Sequence, residues 1–189
     1  MNKLNISLPN LTGTYDGNKQ ILISTKKERL KIILKKNDVD KVYYKNKENS
    51  KFELLKTNSF KKKIIGIKYF KRRVIHFLYH RSDDYKLRVG ITYHLTEGGW
   101  SSLPHKFENN LEIGFEEFFF YLLKNSPFEA IQVGKGVWHN FKKINSAWKI
   151  RNKTFSQIPM GYHPVVGLPK VRVAYIWAYI AKHKRWEKI

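Results

Sequence analysis

Short apolar segments separated by turn residues are the feature that most constrains the fold of this chain of 189 residues. They include KQILIS, RLKIILKK, KKIIGIKYF, FEEFFFYLL and VRVAYIWAYIA. Ile, Val, Phe, Tyr and Trp, the residue types enriched in strands, dominate these segments. None of them shows a sustained apolar period of 3.6 residues. The pattern therefore predicts an all-β sandwich or barrel.

A polar segment, RSDDYKLR at residues 81–88, marks the one candidate boundary along the chain. The length allows one substantial core or two small ones, since domains usually hold about 100–150 residues. We expect a single compact unit with two β-rich parts. Residues 1–87 form an N-terminal half and residues 88–189 a second half that carries the motifs described below.

The net charge of +22, which is larger in the first half, predicts an anionic partner. The segment FKKKIIGIKYFKRR interleaves positive charge with aromatic residues, as single-strand nucleic-acid binders do. Weak nucleic-acid binding is therefore one hypothesis. The alternative is that the lysines are solvated and have no specific partner.

Cysteine is absent, which excludes disulfide and thiolate chemistry and fits a reducing compartment. The first residues contain no apolar core of a signal peptide. The longest apolar run, VAYIWAYIA at residues 173–181, is about half as long as a membrane span requires. We expect a cytoplasmic protein with no membrane association.

Three segments of the second half place potential metal ligands on or beside predicted strands. His105 follows Pro104 in GGWSSLPHKFENN, and His163 precedes Pro164 in QIPMGYHPVVGLP, so both are expected in extended backbone. A turn at Gly161 is expected just before His163. In FEEFFFYLL, period-two alternation puts Glu117 on the opposite face from its neighbour Glu116. Two histidines and one carboxylate converging inside a barrel can bind a divalent metal and leave coordination positions open.

Each of these residues also has a purely structural explanation. His105 and His163 can be hydrogen-bonded histidines of a barrel, and Glu117 can pair with a lysine or with Arg172. His76 and His80 have zincin-like spacing without the required glutamate, and we interpret them as structural. The other histidines, His94, His139 and His183, have no partner visible in the sequence.

Four segments, in the order GGWSSLPHKFE, FEEFFFYLL, IPMGYHPVVGLP and AYIWAYIAKHKRW, resemble the C-terminal half of the 5-deoxy-glucuronate isomerase family of cupins. Members of that family are relatives of 4-deoxy-L-threo-5-hexosulose-uronate ketol-isomerase. The resemblance covers roughly residues 88–189, and GYHPV is its most specific part. It implies a cupin double-stranded β-helix, a jelly-roll-like barrel, with residues 1–87 as a degenerate N-terminal β-layer.

Carried over by position, the resemblance implies that His105, Glu117 and His163 are metal ligands. The metal would be divalent, Zn, Mn, Fe or Ni. The second ligand histidine of the family falls on Phe107, and one proline of its usual pair before the first histidine is missing. Phe107 leaves two outcomes open: a retuned metal site, or one that has lost its metal.

The leading hypothesis is a metal-dependent aldose-ketose isomerase acting on a small anionic sugar acid. Lys106, Tyr121, Arg172 and Tyr175 are the candidates for substrate contact, and Arg172 suits a carboxylate because its guanidinium is a fork of donors. The alternative is a non-catalytic cupin that serves as a binding or assembly protein. Nucleic-acid binding through the N-terminal half ranks third, and homo-oligomerisation stays open.

Overall fold

A computed structural model of the chain describes residues 4–48, 51–78, 86–101 and 114–180. These residues form β-strands and two 3-10 turns of three residues each, so the predicted all-β class is confirmed. The first six strands make one antiparallel sheet in chain order, here called the first sheet. They are β1 (Asn5–Ser7), β2 (Thr12–Tyr15), β3 (Gln20–Ser24), β4 (Glu28–Lys35), β5 (Asp38–Asn46) and β6 (Glu53–Leu54).

Ten further strands build the two other sheets. They are β7 (Lys61–Ile65), β8 (Arg72–Leu78), β9 (Leu87–His94), β10 (Glu116–Lys124), β11 (Glu129–Val137), β12 (Lys143–Arg151), β13 (Phe155–Ile158), β14 (Met160–Tyr162), β15 (Val165–Gly167) and β16 (Arg172–Ile180). The central sheet has the order β13-β10-β16-β9-β8-β7. The third sheet has the order β12-β11-β14, with β15 also paired to β11.

The central sheet is buried on both faces because the other two sheets cover it. Along β10, Phe118, Phe120 and Leu122 pack against the first sheet; we call this the outer face. Phe119, Tyr121 and Leu123 pack on the other side with residues of the third sheet; we call this the inner face. The alternation predicted for FEEFFFYLL is confirmed. Burial on both faces also explains why β10 is apolar at almost every position.

The central sheet contains strands from both halves of the chain. β8 is hydrogen-bonded to β9 along its length, from Arg72 opposite His94 to Leu78 opposite Val89. The expected boundary at residue 87 therefore passes between two paired strands. Division by sheets places the change after β6, near residue 55.

Two local features differ from the sequence-based expectation. KKIIGIKYF was predicted as one strand, but β7 ends at Ile65 because Gly66 has a φ of +80°, and a Cβ on it would lie 2.4 Å from the Phe70 carbonyl oxygen. Gly161 was predicted in a turn, yet it belongs to β14 and lies opposite Gly136 of β11. Within the ranges given above, no helix is long and apolar enough to cross a membrane.

Candidate functional site

The inner face of the central sheet brings Glu117 and His163 together. Glu117 comes early in β10, and His163 follows β14 immediately before Pro164. His163 Nε2 lies 3.8 Å from Glu117 Oε2, and the two side chains are only 9% and 6% exposed. The Phe119 ring packs edge-on against the imidazole, with ring centroids 5.9 Å apart. Two of the three sequence-predicted ligands are thus neighbours in a buried site.

A buried amide fixes the backbone that carries His163. Gln132 of β11 donates from Nε2 to the carbonyl oxygens of His163, at 2.8 Å, and Pro164, at 3.1 Å. Tyr121 donates its phenol hydrogen to Gln132 Oε1 at 2.8 Å. Tyr121 and Gln132 are fully buried, so the three residues form a continuous buried network behind the imidazole. This network holds His163 in place beside Glu117.

Burial dominates the electrostatics of Glu117. It raises the pKa of this carboxyl to about 8, and no other cause contributes to the shift. Oε2 accepts no hydrogen bond from any residue of the described ranges. A carboxylate buried in this way is costly unless a cation or a donor reaches it. A bound cation would therefore stabilise the ionised form of Glu117.

Tyr121 and Tyr175, two of the predicted substrate contacts, both lie on the inner face. They are directly opposite each other in the pairing of β10 with β16. Burial raises the pKa of Tyr175, and hydrogen bonds with the side chains of Ser101 and Thr92 oppose part of that shift. Burial likewise raises the pKa of Tyr121. Both phenols stay neutral donors at physiological pH.

Arg172 is not part of this cluster. It begins β16 three residues before Tyr175, so alternation puts the two side chains on opposite faces of the central sheet. The Arg172 side chain is 57% exposed, and its nearest carboxylate is that of Glu97, at 3.9 Å. The structure does not bring Arg172 to the inner face with Tyr175.

Lys106 and the third predicted ligand, His105, lie outside the described residues, as does Phe107. The last described residue before them, Ser101, is anchored beside the site. Its backbone N–H donates to the Val165 carbonyl oxygen at 2.9 Å, and its hydroxyl accepts from the Val165 N–H at 2.8 Å. Val165 is two residues beyond His163.

Two inner-face residues of β9 were missed by the sequence analysis. His94 is buried, its ring lies 6.1 Å from that of Tyr175, and burial lowers its pKa to about 4. Arg88 is also buried and lies opposite Tyr179, which is itself opposite Glu117. Period-two alternation in LRVGITYH was the available signal, since it puts Arg88, Thr92 and His94 on one face.

The described residues fit a metal in part. Glu117 supplies a carboxylate oxygen and His163 an imidazole nitrogen, the donors that Zn, Mn, Fe and Ni accept. Within the described ranges, no three or more His, Cys, Asp or Glu side chains lie close enough together to hold a metal ion. A third protein ligand would have to come from elsewhere in the chain.

Comparison with solved structures agrees with the cupin fold. The chain superposes on an IolB-like protein from Salmonella typhimurium with a TM-score of 0.57 and 16% identity, over 84% of this chain and 64% of that protein. It therefore spans less than two thirds of that relative. A predicted oxalate decarboxylase from Thermotoga maritima gives a TM-score of 0.47 and 13% identity, over 68% of this chain and 99% of that one. A cupin-2 domain from Rhodospirillum rubrum gives 0.45 and 8%, over 66% and 71%.

Sequence comparison gives the family directly. No curated protein matches the chain. The sequence model of the KduI/IolB family matches residues 12–189. The match extends the resemblance seen in residues 88–189 into the first half, which is too divergent to align by eye. With nearly its whole length matched, the chain belongs to the KduI/IolB family.

Proposed function

We propose that the protein is an aldose-ketose isomerase of a small sugar acid, with a divalent cation held by Glu117, His163 and His105. One observation carries the proposal: a fully buried carboxylate lies 3.8 Å from a buried imidazole, and its oxygen accepts no hydrogen bond from the described residues. Burying such a pair costs stability unless a partner satisfies the carboxylate, and a bound cation would be such a partner. Membership of the KduI/IolB family supports an isomerase-type role.

His105 is the proposed third ligand because the chain reaches it from an anchored point. Ser101 is hydrogen-bonded to Val165, beside His163. His105 is four positions beyond Ser101, and a chain of that length spans at most about 14 Å. The tether therefore permits His105 to approach the pair.

A bound cation would polarise the carbonyl and hydroxyl oxygens of the sugar. The protein's own groups would do the rest. Tyr121 and Gln132 hold His163 in place, and Tyr175 is a buried, neutral phenol on the same face. We assign substrate contact to Tyr175 and Lys106, give Tyr121 the positioning role because its phenol hydrogen is donated to Gln132, and leave the proton-transferring residue unassigned.

A non-catalytic cupin is the second candidate, and a specific observation favours it. The inner face is filled by aromatic rings: Phe119 stacks on Tyr175 at 4.4 Å between centroids, and Trp177 stacks on Tyr179 at 5.8 Å. Phe107, at the position of a family ligand histidine, would add a further ring. A pocket filled in this way could retain the fold without turnover.

Metal analysis with matched variants tests the proposal. Protein purified without chelators should contain a divalent metal, and calorimetric titration should show one site for Mn, Ni, Zn or Fe. Glu117→Gln and His163→Ala should each weaken binding by more than about 100-fold, the upper end of what supporting-residue changes cost. Glu129→Gln and His139→Ala, which change the same residue types outside the site, should leave it unchanged.

Turnover separates the two candidates. With the metal bound, NMR should detect interconversion of 5-deoxy-glucuronate with its ketose isomer. Metal binding without turnover of this or related sugar acids would favour the binding protein. Unchanged metal affinity in His163→Ala would exclude the proposed site.

Replacing Phe107 with His gives a complementary prediction. Alternation puts residues 105 and 107 on the same face if that segment is extended, so the new imidazole would lie beside His105. We expect metal affinity to rise because neutral imidazole is a favoured ligand of these metals. Loss of a large aromatic can cost a few kcal/mol of stability, so unfolding must be measured in parallel. A folded variant with unchanged affinity would contradict the prediction.

A further inference from the structure

A cavity of about 510 Å³ lies on the outer side of the central sheet. It opens between β5–β6 of the first sheet and β7–β9 of the central sheet. Its walls are mainly apolar: Val42, Leu55, Phe60, Ile75, Phe77 and Ile91. This volume falls within the range of small-molecule sites, about 300–1,000 Å³, which are also mainly apolar.

Three lysines surround the cavity opening. Lys41, Lys56 and Lys62 line it and are exposed, and Asp40 is the one acidic residue among its lining residues. In the part of the chain that the structure describes, none of the three lysines forms an ion pair. The rim therefore carries a surplus of positive charge over an apolar interior.

The phenol of Tyr93, another polar group of the wall, is already occupied. Tyr93 donates its phenol hydrogen to Asp38 Oδ1 at 2.6 Å, and Lys124 Nζ lies 3.3 Å from Asp38 Oδ2. Neither the phenol nor this carboxylate is available to recognise a ligand. Polar recognition in the cavity falls to the three lysines, with Thr57 and Asn58 as further polar residues of the wall.

The cavity is separate from the Glu117 and His163 site. Phe77 and Ile91 belong to the core between the first and central sheets, whereas Tyr175 and Phe119 belong to the core on the other side. The thickness of the central sheet separates the two. A ligand in the cavity would not compete with one at the inner face.

We propose that this cavity binds a small amphipathic anion, with its apolar body against Leu55, Phe60 and Ile75, which are only partly buried, and its anionic head group at Lys41, Lys56 and Lys62. A carboxylate, phosphate or sulfonate head would satisfy the lysines while staying partly hydrated at the opening. The apolar body removes exposed apolar wall from water, which is the larger favourable contribution. A sugar acid lacks such a body, so the ligand class differs from that of the inner site.

Decanoate is the probe that tests both requirements. Calorimetry should show one saturable site for decanoate and a much weaker one for acetate, which has the head group alone. Decanol, which has the body alone, should bind several-fold more weakly than decanoate. In methyl NMR spectra, decanoate should shift the signals of Val42, Ile75 and Ile91 before those of Ile150 or Val173 on the inner side.

Charge-matched variants exclude nonspecific attraction by a strongly basic protein. Lys41→Gln, Lys56→Gln and Lys62→Gln combined should weaken decanoate binding by roughly tenfold, as expected for exposed charge pairs. The control combines Lys26→Gln, Lys27→Gln and Lys143→Gln, three exposed lysines elsewhere, and should bind as the wild type does. Equal losses in both triple variants would overturn the proposal.

Filling the cavity tests the apolar requirement. Ile75→Trp should abolish binding, and Leu55→Trp, at a position outside the strands, serves if the first variant fails to fold. Shifts confined to methyl groups outside the cavity would overturn the proposal, as would undiminished binding in a folded filled variant. Neither result bears on the proposed metal site, which is tested separately by the Glu117 and His163 variants on the inner face.

Discussion

The two faces of the central sheet treat their buried acids in opposite ways. Glu116 and Glu117 are adjacent in β10 and only 3% and 6% exposed. On the outer face, Glu116 accepts hydrogen bonds from Asn10, at 2.9 Å from the backbone N–H and 2.8 Å from the side-chain amide. On the inner face, Glu117 Oε2 accepts none from the described residues. One carboxylate ties the first sheet to the central sheet, and the other lies beside the His163 imidazole.

The contrast extends beyond β10. Glu28, on the side of the first sheet, accepts hydrogen bonds from the Leu87 and Lys86 N–H groups. On the inner face, neither ring nitrogen of His94 has a well-formed hydrogen bond in the described structure, although the Gly99 backbone is close enough to oppose part of its pKa shift. Buried polar groups are nearly always satisfied in native proteins. The unsatisfied Glu117 and His94 support the proposal of a ligand site on the inner face.

The largest effect expected from this contrast concerns Glu117. Its folded-state pKa of about 8 exceeds the ordinary value of 4.5, so the stability that the protonated carboxyl confers is present below pH 4.5 and is lost as pH rises towards 8. The loss has a ceiling of about 5 kcal/mol. Glu117→Gln, which stays neutral, should flatten the wild-type decline in stability between pH 5 and 9, measured by denaturant unfolding with a chelator present.

Glu129→Gln is the control for that experiment. Glu129 is partly exposed, and hydrogen bonding and charge from Lys149 lower its pKa, so any pH effect should be smaller and opposite in sign. Parallel pH profiles for the wild type and Glu117→Gln would show that a donor or cation already satisfies Glu117 without the metal.

His94 should give the next largest effect. Burial lowers its pKa to about 4 from an ordinary 6.5, so its contribution to stability is complete above pH 6.5 and is lost as pH falls towards 4. The loss amounts to about 3 kcal/mol. His94→Leu should lose correspondingly less stability than the wild type over this interval. An NMR titration that finds His94 protonated in the folded protein at pH 6 would contradict the assignment.

Glu116 should give the smallest of the three effects. Here the loss of stability comes from removing a hydrogen bond that is made, whereas at Glu117 and His94 it comes from charging a buried group. Glu116→Ala removes the acceptor for Asn10 and should cost about 2 kcal/mol, as for hydrogen bonds to a charged group. Asn10→Ala combined with Glu116→Ala should cost less than the sum of the two single changes. Additive costs would mean that the two residues do not stabilise each other.

Alternation along strands made much of the fold and part of the site predictable. It placed Glu116 and Glu117 on opposite faces, and the Pro164 context placed His163 in extended backbone near the third sheet. It did not reveal that both glutamates are buried, because that depends on the first sheet covering the outer face. Alternation along VRVAYIWAYIA also puts Arg172 on the other face from Tyr175, so the signal that separates Arg172 from the inner cluster was present in the sequence.

β12 could not be found from the sequence for a different reason. Most residues of KINSAWKIR are exposed, so the strand lacks the apolar alternation by which strands are recognised. The strand is defined instead by its backbone pairing with β11, from Glu129 opposite Arg151 to Val137 opposite Lys143. The inner position of His94 was available from alternation, but its proximity to Tyr175 depends on β16 lying beside β9.

The position of β16 between β10 and β9 has a consequence for synthesis on the ribosome. β9 and β10 emerge well before residues 172–180 are made. At about 5–20 residues per second, the interval between the end of β9 and the start of β16 is roughly 4 to 16 seconds. During that time the nascent chain carries two apolar strand edges awaiting the same missing neighbour, and such edges pair readily with other chains. These two edges are therefore open to pairing with other chains until β16 is made.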